Sequence, residues 1–202
     1  MNELTELLIA THNQGKIREL RVLLADFPLL LRGLDEFPAV PEVPETADTF
    51  AGNAALKAQG YAVSANLWTL ADDSGLAVDA LNGAPGVYSA RYGGAGLSDA
   101  DRADFLLQKL VDVPQHKRQA RFVCAMAVAN PLGELVFTAS GVCSGHLVFA
   151  PTGAGGFGYD PIFAPDGYDN TFGELPAAIK NTLSHRARAL AQVREFLTNK
   201  LT

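Results

Sequence analysis

Leu7, Leu8, Ile9 and Ala10 make the first unbroken apolar run of the chain, the right length for a buried strand. The polar stretch Thr11-His-Asn-Gln-Gly15 ends it. From Lys16 the period changes: Ile17, Leu20 and Leu24 share one helical face, while Arg18, Glu19 and Arg21 lie elsewhere. Three prolines between Pro38 and Pro44 predict an extended loop. A helix from about Phe50 to Ser64 follows, with Asp48 or Thr49 as its cap and Gly52 and Gly60 weakening it. Leu67 to Ala71 reads as a strand that gives way to Asp72-Asp73-Ser74-Gly75. Asn82-Gly83 is a hairpin signal, and Pro85 to Gly94 a short helical turn closed by glycines. Ser98-Asp99-Ala-Asp101 opens a helix whose Leu106, Leu107 and Leu110 face the core. Ala120 to Ala129 and Leu135 to Ser140 are β-rich and flank the turn Asn130-Pro-Leu-Gly133. Gly145 to Ala150 is expected to add another strand, and Ser184-His-Arg186 to start a helix with Leu190, Val193 and Leu197 as its apolar stripe. No internal repeat, low-complexity segment or linker interrupts the 202 residues, so one domain is expected over the whole chain.

Composition narrows the class. With 48% hydrophobic residues there is ample material for a core, and 16 Lys plus Arg against 22 Asp plus Glu give a formal charge of −6. That balance argues against a nucleic acid polymer as partner. A small anion in a locally basic pocket remains compatible with it. No apolar stretch approaches membrane-spanning length. Cys124 and Cys143 lie in apolar, β-like surroundings without ligand spacing, as buried thiols of a reducing compartment would. The expectation is a cytoplasmic protein without a membrane partner.

Three stretches carry candidate chemistry. At the end of a strand, Asp72 and Asp73 would leave on opposite faces, one toward a cleft and the other toward backbone or a shared metal; as a plain turn, Asp-Asp-Ser-Gly would serve only its own backbone. The loop before Lys16 aims backbone N–H groups, a helix N-terminus and a full positive charge at one point. It is not a Walker loop, since Ile17 follows the lysine where Ser or Thr would be needed. Asn53 and Lys57 stand four apart on one helical face beside small alanines. In Thr152-Gly-Ala-Gly-Gly-Phe-Gly-Tyr-Asp-Pro161, four glycines in the six residues from Gly153 bring backbone close to a ligand, with Phe157 and Tyr159 as flat faces. Lys180, His185 and Arg186 put cationic or ionisable groups near a helix N-terminus, where an anion or a carbonyl-rich ligand would account for them.

Five motifs in order resemble the inosine triphosphate pyrophosphatase family: Thr11-His-Asn-Gln-Gly-Lys16, Ala71-Asp-Asp-Ser-Gly-Leu-Ala-Val78, Gly83-Ala-Pro-Gly-Val-Tyr-Ser-Ala-Arg91, Gly156-Phe-Gly-Tyr-Asp-Pro-Ile-Phe163 and Ser184-His-Arg186. The resemblance runs from Leu7 to about Leu190. It implies an α/β fold with a long twisted mixed sheet, flanking helices and two lobes around a central nucleotide cleft. It implies hydrolysis of dITP, ITP or XTP to the monophosphate and pyrophosphate on a divalent metal, Mg²⁺, in a homodimer. By the same resemblance Thr11, His12, Asn13, Gln14, Gly15 and Lys16 would hold phosphates, with Asn53 and Lys57 also binding substrate. Asp73 would be the proton acceptor and a metal ligand, with Glu45 and Asp72 as further ligands, and Ser74 would touch substrate. Phe157, Gly158, Tyr159, Asp160, Lys180, His185 and Arg186 would form the base pocket. The chain departs from the family pattern at Gly52, where Glu is usual, at Ala178 and Ile179, where acids are usual, and at Pro44, where the first of two glutamates is usual. Rival readings are a related pyrophosphatase for modified pyrimidine nucleotides and a nucleotide sensor without turnover.

Overall fold

In a computed structural model, which describes residues 5–201, one strand, β3 (Trp68–Val78), is buried along almost its whole length. It lies third in a six-stranded sheet of order β2-β1-β3-β4-β5-β6. The other strands are β1 (Glu6–Ile9), β2 (Leu30–Gly33), β4 (Gln119–Ala129), β5 (Leu135–Leu147) and β6 (Phe163–Pro165). The helices are α1 (Gln14–Leu23), α2 (Phe50–Ala65), α3 (Asp99–Gln108), α4 (Ala177–Leu183) and α5 (His185–Leu201). β1 runs parallel to both β2 and β3, whereas β5 and β6 are antiparallel. The fold is therefore α/β with a mixed sheet. No helix among the described residues is long and apolar enough to cross a membrane.

The chain divides into two compact units. The first takes the described residues up to Asp73, Cys124–Gly141 and the described residues from Ala187 on; the second takes Ser74–Val123 and Val142–Arg186.

In the first unit the side chains of β1 and β4 alternate between two cores, as strand geometry requires. Leu7, Ile9, Cys124, Met126 and Val128 pack with Ile17, Leu20 and Leu24 of the α1 region and with Leu190, Val193 and Leu197 of α5. Leu8, Ala10, Ala125, Ala127 and Ala129 meet Ala54, Ala58 and Ala62 of α2 instead. Small residues on both sides let α2 lie close to the sheet, which the alanines beside Asn53 and Lys57 foreshadowed. Thr49 caps α2 by accepting from the Gly52 N–H, and Asn66 ends it in the left-handed conformation.

The core of the second unit gathers Leu76, Val78, Leu106, Leu110, Phe122, Leu147, Ile162, Phe163 and Phe172. Arg118 is fully buried beside it, and its guanidinium donates to the carbonyls of Leu147, Leu110 and Val148. Both cysteines are buried thiols.

Several local expectations are corrected. β3 does not stop at Ala71 but carries Asp72, Asp73, Ser74 and Gly75 in mid-strand, so neither strand end nor turn describes them. Gly75 serves close approach: a Cβ there would lie 2.3 Å from Ser89 Oγ and 2.6 Å from the Gly86 carbonyl. Asn82 and Gly83 do form a tight turn with positive φ, but only the isolated bridge Ala77–Pro85 follows, not a hairpin ladder. No separate strand spans Gly145 to Ala150. β5 continues unbroken to Leu147, and the chain then leaves the sheet. Lys180, just upstream of the helix that carries His185 and Arg186, sits in a short helix of its own, α4.

Candidate active site

The carboxylates at the centre of β3 are held by cations from two helices of the first unit, α1 and α2. Asp72 and Asp73 are consecutive on a strand, so their side chains point to opposite faces. Asp72 Oδ2 lies 3.1 Å from Lys16 Nζ. Asp73 accepts from Asn53 Nδ2 at 3.1 Å through Oδ2, and its Oδ1 is 3.6 Å from Lys57 Nζ. Lys57 also donates to Glu45 Oε1 at 2.6 Å. Asn53, Lys57, Asp72 and Asp73 are all buried.

Three carboxylates and two ammonium groups thus act on one another across this part of β3, and the titration of Asp73 and Lys57 reflects it. Burial pushes the Asp73 carboxyl up, Lys57 and Lys16 pull it down, Glu45 raises it again, and the net shift is upward. Burial alone would depress Lys57, but Asp72, Asp73 and Glu45 hold its pKa above the ordinary lysine value. A buried carboxylate that resists ionisation beside cations is suited to accept a proton.

Glycine places Glu45 here. A Cβ on Gly52 would stand 2.6 Å from the Ala47 methyl, and one on Gly60 would stand 2.7 Å from Val43 Cγ2. The extended segment 43–47 therefore rests directly on α2. Asn53 Oδ1 fastens it by accepting from the Ala47 N–H at 2.9 Å while the amide end of the same side chain faces Asp73. The departure at Gly52 has a local reason: the Ala47 methyl occupies the space a glutamate Cβ would need. Pro44 is exposed, as is Ala178.

The phosphate-loop residues are arranged around the start of α1. Asn13 is its N-cap and accepts from the Lys16 N–H, Thr11 Oγ1 accepts from the Asn13 N–H, and Gly15 is buried. His12, Asn13 and Gln14 are exposed, with Lys16 turned toward Asp72.

In the second unit the glycine-rich loop and the region of Lys180 to Arg186 come together. Asp160 is buried; its Oδ2 accepts from the Phe157 N–H at 2.7 Å and from Lys180 Nζ at 2.5 Å. Lys180 Nζ lies 4.7 Å and the Arg186 guanidinium 5.7 Å from the centre of the Phe157 ring, within cation–π range. Arg186 also donates to Ser74 Oγ at 2.8 Å. His185 is buried and stacks on Phe122 with ring centres 4.7 Å apart, 10° from parallel. Tyr159 is not the exposed face that its sequence context predicts. Its ring is 5% exposed and belongs to the core, and its hydroxyl donates to the Ser89 carbonyl at 2.9 Å. Burial drives that phenol's pKa well up, so it stays a neutral donor.

Sequence reasoning passed over two contributors. Ser89 accepts from the Leu76 N–H at 2.9 Å and donates to the Gly86 carbonyl at 2.6 Å, tying the strand segment after Ser74 to the helical turn Gly86–Arg91. A glycine in extended backbone at 75 was the available signal. Phe122, the platform beneath His185, gave none, since it reads as one more apolar residue of β4.

Among the described residues no group of three His, Cys, Asp or Glu side chains is gathered so as to hold an ion unaided. The oxygen donors present are carboxylates interleaved with lysines, and that set suits a hard cation sharing its ligands with phosphate and water.

Each cluster has its own chemistry: lysines beside acids in the first unit suit a small anion, and cations over an aromatic ring in the second suit a flat ring. Comparison with known proteins gives the chain a family. Residues 7–196 match the model of the Ham1 family, and the chain belongs to it. It is 47% identical to the dITP/XTP pyrophosphatase of Shouchella clausii over 194 residues, 96% of this chain and 97% of that protein. The dITP/XTP pyrophosphatase of Streptomyces coelicolor is 48% identical over 201 residues, spanning 96% of this chain and 100% of that protein. The solved structure of a HAM1 protein from Coxiella burnetii superimposes with a TM-score of 0.86 at 39% identity, covering 96% of this chain and 98% of that one.

Proposed function

We propose that this chain hydrolyses non-standard purine nucleoside triphosphates, dITP, ITP and XTP, between the α- and β-phosphates, releasing the nucleoside monophosphate and pyrophosphate and so cleansing the nucleotide pool. The observation that carries the reading is Asp73, a buried carboxylate raised in pKa and flanked by Asn53 and Lys57, on the same strand as an acid paired to Lys16. Similarity to relatives named for dITP and XTP supplies the substrate class.

In this reading the loop Thr11 to Lys16 binds the phosphates through backbone N–H groups, the positive end of α1 and the Lys16 ammonium. Lys57 adds positive charge while holding Glu45. Asp73 orients a water and accepts its proton as that water attacks phosphorus. The base rests against Phe157, with Lys180, His185 and Arg186 around its edge and Asp160 fixing both Lys180 and the Phe157 backbone. Asp73 and Glu45, with Asp72 behind Lys16, are the residues to hold Mg²⁺, and two carboxylates suffice for that ion when phosphate and water complete its shell. When bound, the ion would offset phosphate charge and polarise the attacked group. The protein is expected to act as a cytoplasmic homodimer.

The decisive experiment incubates the purified protein with dITP, ITP, XTP, ATP, GTP and a modified UTP, with Mg²⁺ and with chelator, and measures pyrophosphate and monophosphate together. Equimolar products from dITP, ITP and XTP, abolished by chelator, are expected. Orthophosphate in place of pyrophosphate would overturn the bond assignment. Turnover of the modified UTP alone would move the chain to pyrimidine substrates, and binding without products would make it a sensor.

A further inference from the structure

Asp99 stands at the first position of α3, where a carboxylate ordinarily does no more than favour the helix N-terminus. That end is already provided for. Ser98 accepts from the Asp101 N–H at 3.1 Å, and its hydroxyl donates back to Asp101 Oδ2 at 2.6 Å. Asp99 Oδ2 instead accepts from the Gly158 N–H at 2.8 Å, 59 residues away in sequence. Gly158 has φ +61, and a Cβ built on it would meet nothing within 4 Å.

The glycine-rich loop is consequently not slack. Its beginning is locked to another loop, since the Gly155 N–H donates to the Gly173 carbonyl at 2.8 Å and a Cβ on Gly153 would lie 2.1 Å from Gly173. Beyond that, three consecutive residues are each fixed by a different partner: the Phe157 N–H by Asp160 at 2.7 Å, the Gly158 N–H by Asp99, and the Tyr159 hydroxyl by Ser89 at 2.9 Å. Asp160 and Tyr159 are buried and hold the core as well as the loop. Asp99 is exposed, and its bond alone can be removed without opening the core. The peptide it holds joins Phe157, whose ring lies under Lys180 and Arg186, to Gly158, next to the buried Tyr159.

We infer that Asp99 is a positioning residue for base recognition: by holding the Gly158 peptide from α3, it sets the Phe157 ring beneath Lys180 and Arg186. This rests on the base site of the proposed function. A charged acceptor on a backbone N–H is strong, but this one is open to water, which replaces part of it.

The test compares wild type, Asp99→Ala and Asp99→Asn, with inosine monophosphate and inorganic pyrophosphate as competing inhibitors of dITP hydrolysis. Asp99→Ala is expected to raise Ki for the monophosphate and KM for dITP by roughly three- to tenfold, with a smaller change in kcat. Ki for pyrophosphate, which has no base, should stay within about twofold, the scatter left by a contact removed elsewhere. Asn keeps an acceptor oxygen and should restore the monophosphate Ki. Unchanged monophosphate inhibition in Asp99→Ala would overturn the inference alone, and so would an equal rise for both inhibitors. Wild type that the monophosphate does not inhibit would overturn the base site itself and this inference with it.

Discussion

Lys16 and Asp72 form an ion pair at 3.1 Å in which the carboxylate has no exposed surface and the ammonium very little. The lysine meant for phosphate is thus already aimed by a buried acid on β3, and the acid depends on it. Lys16→Ala should lower kcat/KM for every triphosphate by a similar factor, because phosphates are common to all of them. It should also destabilise the fold, by about 1–3 kcal/mol rather than the 3–5 of a fully stranded buried charge, since Lys57 also acts on Asp72. Adding Asp72→Asn should recover stability without recovering activity. A loss confined to one base would show that the wrong end of the nucleotide has been assigned to this loop.

Asp73→Asn should separate activity from stability. Turnover should fall by at least ~10²-fold, the scale of general-base catalysis. Stability near neutral pH should hold or rise, because burial lifts this carboxyl above its reference of 3.8. At neutral pH the folded wild type bears an ionised group that the unfolded chain ionises more easily, and the substitution removes that cost. Below 3.8 both states carry the proton and the cost is gone. The advantage of the variant should therefore shrink as pH falls through the raised folded value. Thermal unfolding at several pH values checks this. A variant less stable than wild type at neutral pH would mean that the contacts with Lys57 and Asn53 outweigh the burial.

Lys57→Met should move the acidic limb of the kcat profile to higher pH. Lys57 is the strongest of the neighbours that pull the Asp73 pKa down, and without it burial and Glu45 act with less opposition. Full pH–rate curves on dITP for both proteins supply the measurement. An unmoved limb would mean that some group other than Asp73 titrates there.

Choice of base should depend on Arg186. Arginine and lysine offer only donors, which suit the C6 oxygen of hypoxanthine or xanthine and not the amine of adenine. Arg186 donates to Ser74 Oγ at 2.8 Å, which helps to fix the guanidinium. Leaving a donor unsatisfied costs on the order of 1–3 kcal/mol, roughly ten- to a hundredfold. Arg186→Ala should narrow the ratio of kcat/KM between ITP and ATP by that order, mainly through loss on ITP. Equal wild-type efficiency on the two would sink the specificity argument and leave the bond cleavage standing.

Much of this was legible where one residue type reports on one local cause. Ile17, Leu20 and Leu24 announced their helix by spacing, Thr49 and Ser98 their caps by chemistry, and Cys124 and Cys143 their burial by apolar surroundings. The misreadings share a cause, which is tertiary contact overriding local preference. Asp-Asp-Ser-Gly has the composition of a turn, yet lysines on two helices and the tight packing of Ser89 on Gly75 keep it extended. Tyr159 looked like a ligand face because glycines surround it, and only the Ser89 carbonyl, 70 residues away, shows why it turns inward. Short β2 gave too little pattern to register. Candidate residues were readable as types, but the pairing of Lys180 with Asp160 or of Asn53 with Asp73 was not, since nothing in spacing links them.

The seat of the 43–47 segment on α2 bears on any attempt to toughen this protein. Replacing helical glycines with alanine is a standard route to thermostability and ordinarily gains up to about 1 kcal/mol per site. At Gly52 and Gly60 a single methyl would push against Ala47 or Val43 and lift the segment that brings Glu45 to Lys57. A screen that selects on melting temperature alone would therefore be drawn to two positions where gains in helicity come at the expense of turnover, and a library for this chain should leave both as glycine.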